Sequence, residues 1–329
     1  MSKSQESAAS IQKTRLELEG YAQSLQHYRN FLQQIEAKLK KLSHFPIQES
    51  QNIEIPKKKK LVHCVVLTFY FNEILERSLE GLLPEKDRID VSVIENNSIN
   101  SDAIRKVVDS YKEKGLVKNH FIFEKNIGTN AFEIAFDSNL LDLDYEYITV
   151  TDGDLVPDKG WLDEQITILE KCPEVFSVSM PLYYDNAPPK QREKAMKVPI
   201  QSENNFYKER IAGWVLKTFR TSDWKDFIAF RKKHKIFFHD SSSYMYSKLK
   251  KKMKSVLTLN TKSYHLTWDY SDSEYLKLKK SLGEKTNNSW YHNRYSGFLL
   301  IKESNKELNF PAPPEVVHQK LSAKLITTP

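Results

Sequence analysis

The chain has 329 residues, which is enough for one large α/β domain or two smaller ones. Its formal net charge of +7 is moderate and no nucleic-acid recognition motif accompanies the basic residues, so we do not expect nucleic acid as a partner. With only two cysteines, we expect no disulfide framework. Because the sequence has no apolar run of membrane-spanning length and no signal-peptide pattern, we expect a cytoplasmic protein and not a transmembrane one.

Residues 1–45 carry a heptad pattern. Two apolar series run through it three positions apart, namely Leu18, Leu25, Leu32 and Leu39 with Tyr21, Tyr28, Ile35 and Leu42. The pattern predicts a helix that either forms a coiled coil through residues 11–42, giving a homo-oligomer, or packs on the globular part of its own chain. Residues 46–60, with two prolines and four consecutive lysines, are predicted to be a linker.

From residue 61 onward, short apolar runs alternate with helical patterns, as in an α/β sheet. The predicted strands are 61–67, 91–94, 120–124 and 145–150, and the predicted helices are 72–82, 102–114 and 129–139. The runs are rich in β-branched residues, which is typical of buried parallel strands. In such sheets the ligand lies beyond the carboxyl ends of the strands, so we expect the functional site there.

Polar clusters follow these four strands at Thr68–Glu73, Glu95–Ser98, Lys125–Gly128 and Asp152–Asp154. The last is the most informative, because Gly153 allows a tight turn in which Asp152 and Asp154 could approach one divalent cation through oxygen ligands. Alone, an Asp-Gly-Asp sequence is equally typical of a solvated turn. Its position after a buried strand favours the metal.

These four clusters, in this order, resemble the nucleotide-sugar half of a family 2 glycosyltransferase with the GT-A fold. The resemblance covers about residues 61–270 and is strongest over 61–185. It implies a Rossmann-like, mixed and mostly parallel sheet flanked by helices. It also implies a part at 61–190 that binds the nucleotide sugar, an acceptor-binding and catalytic part at 191–270, and an extension at 271–329, which we predict to be helical or irregular.

The resemblance also implies roles for individual residues. Those near the donor nucleotide are Thr68, Tyr70, Glu73, Glu95, Asn96, Lys125, Gly128 and Asp152, with Glu95 or Asn96 reading the base edge. Asp154 and His265 would hold Mn²⁺ or Mg²⁺. The chain departs from the family at Asn97, where glycine is common, and in the aromatic run 69–71, where a proline is common. That run would either stack on the base or pack in the core.

A catalytic base must take the proton of the acceptor hydroxyl, which is otherwise a poor nucleophile. The family keeps an acidic pair about one helix and one strand before the predicted metal histidine, and its second member is the base. Here that pair reads His239-Asp240, which makes Asp240 the preferred base. Asp223 and Asp226 are rivals, because sequence order does not measure the distance to the acceptor.

The region after residue 185 is less regular. Residues 186–207 are polar and rich in lysine, and we predict a long surface loop that could act as a lid. Trp214 and Trp224 would form either a platform for a sugar ring or part of the core. The basic run Lys248–Lys254 would be either a solvated face or a peripheral contact with an anionic membrane at its inner face.

The sequence therefore predicts a metal-dependent, inverting glycosyltransferase. It would move a sugar from a nucleotide-diphosphate sugar, with UDP favoured, to a glycan or glycolipid hydroxyl in bacterial surface polysaccharide assembly. One alternative is a GT-A-like nucleotidyltransferase, but residues 68–73 contain neither the glycine nor the lysine with which such enzymes hold a triphosphate. The other is a non-catalytic coiled-coil scaffold that binds a nucleotide or glycan.

Overall fold

The computed structural model describes residues 60–310, except 69–70, 99, 124–127, 129, 211–212, 235, 237, 239, 271–298 and 304–305. The heptad segment 1–45 and nearly all of the linker therefore lie outside the described residues, as do Tyr70, Lys125 and His239. The coiled coil and its oligomer stay predictions.

The strands, numbered in chain order, are β1 Val62–Thr68, β2 Ile89–Asn96, β3 Val117–Phe123, β4 Tyr147–Asp152, β5 Leu155–Pro157, β6 Val175–Ser179, β7 Ser202–Glu203, β8 Lys208–Glu209, β9 Lys217–Arg220, β10 Lys254–Leu257, β11 Ser263–His265, β12 Leu299–Glu303 and β13 Lys306–Phe310. The α-helices are α1 Asn72–Leu82, α2 Ser101–Glu113, α3 Asn130–Asp137, α4 Trp161–Lys171, α5 Pro189–Lys197, α6 Thr221–Lys233 and α7 Asp240–Met245. A π-helical turn at Tyr246–Lys251 extends α7, and short 3₁₀ turns lie at Leu83–Glu85 and Leu266–Tyr270.

All but two of these strands form one sheet in the order β13-β12-β3-β2-β1-β4-β9-β6-β10-β8-β7, and β5 pairs separately with β11. Strands β3, β2, β1 and β4 are mutually parallel, as are β6 and β10. The antiparallel β9 lies between β4 and β6. The predicted α/β fold with a mixed, mostly parallel sheet flanked by helices is confirmed.

The sheet is covered on both faces. Strand β1 is buried throughout, and its alternate residues join different apolar clusters: Val62, Cys64 and Val66 pack with α1, α2 and α4, whereas Val65 and Leu67 pack with α3 and α6. The second cluster is strongly aromatic and includes Trp214 and Trp224. Two-sided burial explains why this strand is a continuous apolar run rather than an alternating one.

Two sequence predictions are wrong. Residues 189–197, expected to lie in a loop, form α5, because prolines at the start of the segment suit a first helical turn and the following Lys, Gln, Arg, Glu and Ala residues favour helix. Part of the C-terminal extension, expected to be helical or irregular, is the hairpin of β12 and β13, whose first strand pairs antiparallel with β3. The division of the chain at residue 190 stays a prediction.

Candidate functional site

Parallel register brings the predicted strand-end residues to one rim of the sheet. Thr68 at the end of β1 is paired with Glu95 on β2, and Leu67 is paired with Asp152 at the end of β4. Thr68 and Glu95 are fully buried, whereas Asp152 is half-buried. Three of the four predicted clusters therefore contribute neighbouring residues to this rim.

Gly153 has a different role from the one expected. Its φ is not in the left-handed region, so the turn does not itself require glycine. Instead the Gly153 N–H donates to the Leu67 carbonyl at 2.8 Å, and a Cβ at this position would lie 3.0 Å from both Leu67 O and Thr68 Cβ. The motif is packed directly on β1, and only glycine allows this approach.

Asp154 lies below the rim, only 2% exposed. Its carbonyl accepts from the Leu266 N–H at 2.8 Å, and its Oδ2 accepts from the Thr267 hydroxyl at 3.1 Å. Its Oδ1 is buried without any hydrogen-bond partner among the described residues. A buried carboxylate oxygen without a partner is costly, so this atom points to a ligand that supplies one.

His265 is held beside Asp154 by the pairing of β11 with β5. Its Nδ1 lies 2.8 Å from Thr267 Oγ1, and its Nε2 lies 3.8 Å from Asp154 Oδ2. Because the Thr267 hydroxyl has one proton and gives it to Asp154, His265 Nδ1–H is the donor in its bond to Thr267, and in the neutral imidazole the lone pair is then on Nε2. The imidazole is thus oriented with its lone pair on the side of the carboxylate.

The chemistry of this pair fits a divalent cation. A carboxylate with an unpartnered oxygen and an oriented neutral imidazole are suitable ligands for Mn²⁺. Among the described residues, no group of three or more His, Cys, Asp or Glu side chains is arranged to hold a metal. Asp154 and His265 are two neighbouring described side chains whose chemistry suits such a cation.

Asp240 faces the same site from the second half of the chain. A cavity of about 290 Å³ is lined by Asp152, Asp240 and His265, together with Trp214 and Trp268. We refer to it as the catalytic cavity. Asp240 is the first residue of α7, and its Oδ1 accepts from the Ser241 N–H at 2.5 Å.

The rival bases lie elsewhere on α6. Asp223 pairs with Arg220 at 3.3 Å and with Lys251 at 3.9 Å, and Asp226 pairs with Lys251 at 2.5 Å. Neither lines the catalytic cavity. Among the three candidate carboxylates, the structure brings only Asp240 together with Asp152 and His265.

The remaining residues predicted to contact the donor differ in their burial and in their hydrogen bonds. Glu95 Oε2 bonds His120 Nε2 at 2.9 Å, while its Oε1 is buried with no hydrogen-bond partner among the described residues. Asn96 Nδ2 donates to the Gly128 carbonyl at 3.0 Å, which ties two predicted clusters together. Glu73 is exposed on the first turn of α1.

Sequence reasoning missed two residues of this region. His120 orients Glu95, but a single histidine in a strand gives no signal of that role. Lys217 on β9 is only 1% exposed, and its Nζ donates to Ser243 Oγ at 3.2 Å, while the Ser243 hydroxyl donates to the Asp240 carbonyl at 2.7 Å. A charged residue inside the apolar run 214–219 was the available signal, because lysine is almost never fully buried without a reason.

Burial lowers the pKa of Lys217 to about 8, and the nearby negative charge of Asp240 opposes this shift in part. The ammonium also lies 5.5 Å from the centre of the Trp214 ring and 5.9 Å from that of Phe219. Trp214 belongs to the aromatic core and also lines the cavity, whereas Trp224 is fully buried and belongs to the core alone.

A mostly parallel sheet carries an acidic motif at one rim, and Asp152 of that motif and Asp240 line one cavity. The chain belongs to glycosyl transferase family 2, because the model of that family matches residues 64–252.

Three uncharacterized proteins of Acanthamoeba polyphaga mimivirus are 31%, 30% and 31% identical to this chain over 257, 256 and 234 residues. The alignments cover 75%, 74% and 68% of this chain, and 29%, 34% and 47% of the relatives. The chain thus spans less than half the length of these relatives.

Two solved structures are also similar. One is Staphylococcus aureus TarS, 16% identical, with 63% of this chain and 60% of that chain covered and a TM-score of 0.44. The other is the mannosyltransferase PcManGT of Pyrobaculum calidifontis in complex with GDP-Man and Mn²⁺, 14% identical, with 68% and 61% covered and a TM-score of 0.46.

The close approach at Gly153 leads to a first prediction. We expect Gly153→Ala to lower the free energy of unfolding by about 1–3 kcal/mol, because the added methyl group meets the backbone of a central strand that has no room to retreat. Urea denaturation of the purified protein measures this change.

Gly213→Ala is the matched control, since among the described residues other than its chain neighbours the only atom within 4 Å of its Cβ would be Asp240 Oδ2, at 3.2 Å. We expect it to change stability by less than about 0.5 kcal/mol, but to slow sugar transfer about tenfold because the carboxylate is displaced. Equal losses of stability in the two variants would contradict the packing argument.

Proposed function

We propose that this chain is a metal-dependent, inverting glycosyltransferase that moves a sugar from a nucleotide-diphosphate sugar to a hydroxyl acceptor. The observation that carries the proposal is the catalytic cavity, in which Asp240 faces Asp152 and His265, with the unpartnered oxygen of Asp154 next to them. Asp240 can remove a proton, and the group of Asp152, Asp154 and His265 can hold a diphosphate.

In this mechanism Asp240 accepts the proton of the acceptor hydroxyl as the oxygen attacks the anomeric carbon. The bond from that carbon to the diphosphate oxygen breaks, and its electron pair leaves with the nucleotide diphosphate. Attack opposite the leaving group inverts the anomeric configuration. The Ser241 N–H bond to Asp240 Oδ1 orients the carboxylate for the transfer.

Asp154 and His265 would hold the metal, with Thr267 orienting both. When bound, Mn²⁺ or Mg²⁺ supplies Lewis-acid stabilisation of the charge that develops on the diphosphate. Asp152, at the end of β4, would bind the donor on the same rim.

The nucleotide would lie along the ends of β1 and β2. We assign to it Thr68, Glu95 and Asn96. The unpartnered Oε1 of Glu95 is suited to accept a hydrogen bond from an N–H on the edge of a base. Tyr70, Glu73, Lys125 and Gly128 complete the proposed donor site. UDP is the favoured nucleotide, although PcManGT is in complex with GDP-Man.

A thermal-shift panel of UDP, GDP, dTDP and CMP with their common sugars, with and without Mn²⁺, tests the donor site, because a ligand that binds only the native state raises the melting temperature. We expect one nucleotide to give a metal-dependent shift and Asp154→Asn to remove it. Asp163→Asn, an exposed carboxylate on α4, is the control that should keep it.

If no nucleotide shifts the melting temperature of the native protein, the proposal is wrong. A shift without turnover would favour the non-catalytic binding protein, and release of pyrophosphate from a nucleoside triphosphate would favour the nucleotidyltransferase.

The proposed acceptor is a glycan or glycolipid, in bacterial surface polysaccharide assembly at the inner face of the membrane. Among the described residues, no helix is both long and apolar enough to cross a bilayer. In the lysine run proposed to contact the membrane, Lys251 pairs with Asp226 and Lys254 pairs with Glu209, while Lys248 and Lys252 are exposed. The proposed contact therefore depends mainly on the exposed lysines.

A further inference from the structure

A second cavity, of about 260 Å³, adjoins the catalytic cavity. The two share the lining residues Leu182, Gln191, Gly213, Val215 and Trp268. From these shared residues the second cavity reaches Lys194 and Ala195 of helix α5. It is therefore placed where a molecule with one end at Asp240 would extend.

The charges of the two cavities are opposite. The catalytic cavity is lined by Asp152 and Asp240, whereas the second is lined by Lys194 and Arg210 and, among the described residues, by no acidic one. We refer to the second as the cationic cavity. A molecule that spans both would meet carboxylates at one end and two cations at the other.

Five of the seven described arginines pair with a carboxylate, namely Arg77, Arg88, Arg105, Arg220 and Arg231. The other two are Arg192, which donates to the carbonyls of Tyr184 and Asp185, and Arg210. Arg210 instead donates to the carbonyl of Ala195, near the C-terminal end of α5, and no described carboxylate pairs with it or with Lys194. The carbonyl orients the guanidinium without neutralising it, so its other donors suit an anion.

The cationic cavity also has an aromatic wall. Trp268 stacks on Tyr184, with ring centroids 5.7 Å apart. It also stacks on His265, with ring centroids 4.6 Å apart and ring planes 3° apart. Flat aromatic faces pack well against the apolar face of a ring, and a volume just below the roughly 300 Å³ of drug-sized pockets suits one monosaccharide.

We propose that the cationic cavity binds an acceptor sugar that carries an anionic group, a carboxylate or a phosphate. Arg210 and Lys194 bind the anion, the Tyr184–Trp268 wall packs on the sugar ring, and the reacting hydroxyl is thereby placed at Asp240. That this sugar is the acceptor rests on the proposed function, whereas the binding of an anionic sugar in the cationic cavity does not.

The test is direct binding of three fluorescently labelled oligosaccharides of equal length to the full chain, by fluorescence polarisation without any donor. One bears uronate groups, one bears phosphodiesters and one is neutral, so the first two arms distinguish carboxylate from phosphate. We expect one anionic probe to bind at least about tenfold more tightly than the neutral one, as a charge-assisted bidentate contact allows.

Lys194→Gln with Arg210→Gln should remove that preference. The matched control is Lys86→Gln with Lys106→Gln, which removes the same charge from exposed lysines that do not line the cavity and should retain the preference. Arg210→Lys keeps the charge but loses the planar fork, so we expect an intermediate affinity.

Equal binding of all three probes would overturn the proposal, and so would equal weakening by the two double variants, which would mean diffuse attraction to a basic protein. Weaker nucleotide binding in the Lys194/Arg210 variant would also overturn it, because the cations would then serve the donor. The nucleotide panel on the unchanged protein tests the proposed function separately, so the two failures are distinguishable.

Discussion

Asp240→Asn should lower the rate of sugar transfer by about 10²–10⁴-fold, the range typical of removing a general base. The amide keeps the size of the side chain and can still accept the Ser241 N–H bond, but it does not take up a proton at neutral pH. Because Asp240 is not among the residues proposed to hold the metal or the nucleotide, we expect the metal-dependent thermal shift with the nucleotide to be unchanged. Loss of turnover with retained donor binding is the signature of the base.

Asp223→Asn and Asp226→Asn provide matched controls, since each removes one negative charge from the neighbouring helix α6. Both carboxylates pair with Lys251 and neither lines the cavity, so we expect transfer within about twofold of the original rate. A large loss of transfer in either variant, with Asp240→Asn active, would move the base to α6.

Lys217→Met should make the protein more stable and less active. Burial of the ammonium lowers its pKa from 10.5 to about 8, which corresponds to a cost of about 3 kcal/mol for the charged form at pH 7. Methionine fills a similar volume without this cost. We expect a gain of up to about 3 kcal/mol, reduced by the lost bond to Ser243, and slower transfer because the ammonium stabilises ionised Asp240.

The pH dependence checks the cause of this gain. Between pH 8 and pH 10.5 the unfolded state holds the Lys217 proton more tightly than the folded state, so its contribution makes stability rise with pH. Cys64, whose pKa burial raises to about 12, acts in the opposite direction above pH 9 in both proteins. The difference in stability between Lys217→Met and the original chain should therefore shrink from pH 8 to pH 10.5.

Urea denaturation at several pH values from 7 to 10.5 measures this difference. Lys233→Met, at an exposed position near the end of α6, is the control, and its effect should stay within about 0.5 kcal/mol. A stability difference that is independent of pH would show that Lys217 acts through packing rather than through its charge.

The order of strands and helices could be predicted from the sequence because it depends on local patterns. The run 61–67 was predicted within one residue of β1, and the helix 72–82 matches α1. Once parallel strands are recognised, their carboxyl ends must meet at one rim, so the proximity of Thr68, Glu95 and Asp152 also follows from the sequence.

The choice among the three candidate bases required the tertiary structure. All three are acids in the same stretch of chain. The packing of α6 and α7 places Asp223 and Asp226 in ion pairs and places Asp240 at the cavity. Likewise, Gly153 is recognisable as a special position in the sequence, but its contact with β1 depends on residues more than 80 positions away.

The sequence by itself determined the family, the sheet and the acidic motif, since each is carried by apolar periodicity or by neighbouring residues. Only the tertiary structure decided that Lys217 is buried beside Asp240, that Thr267 orients Asp154 and His265, and that Arg210 opens into a second cavity. The physical reason is that burial, proton sharing and charge neutralisation are properties of side chains brought together from distant parts of the chain.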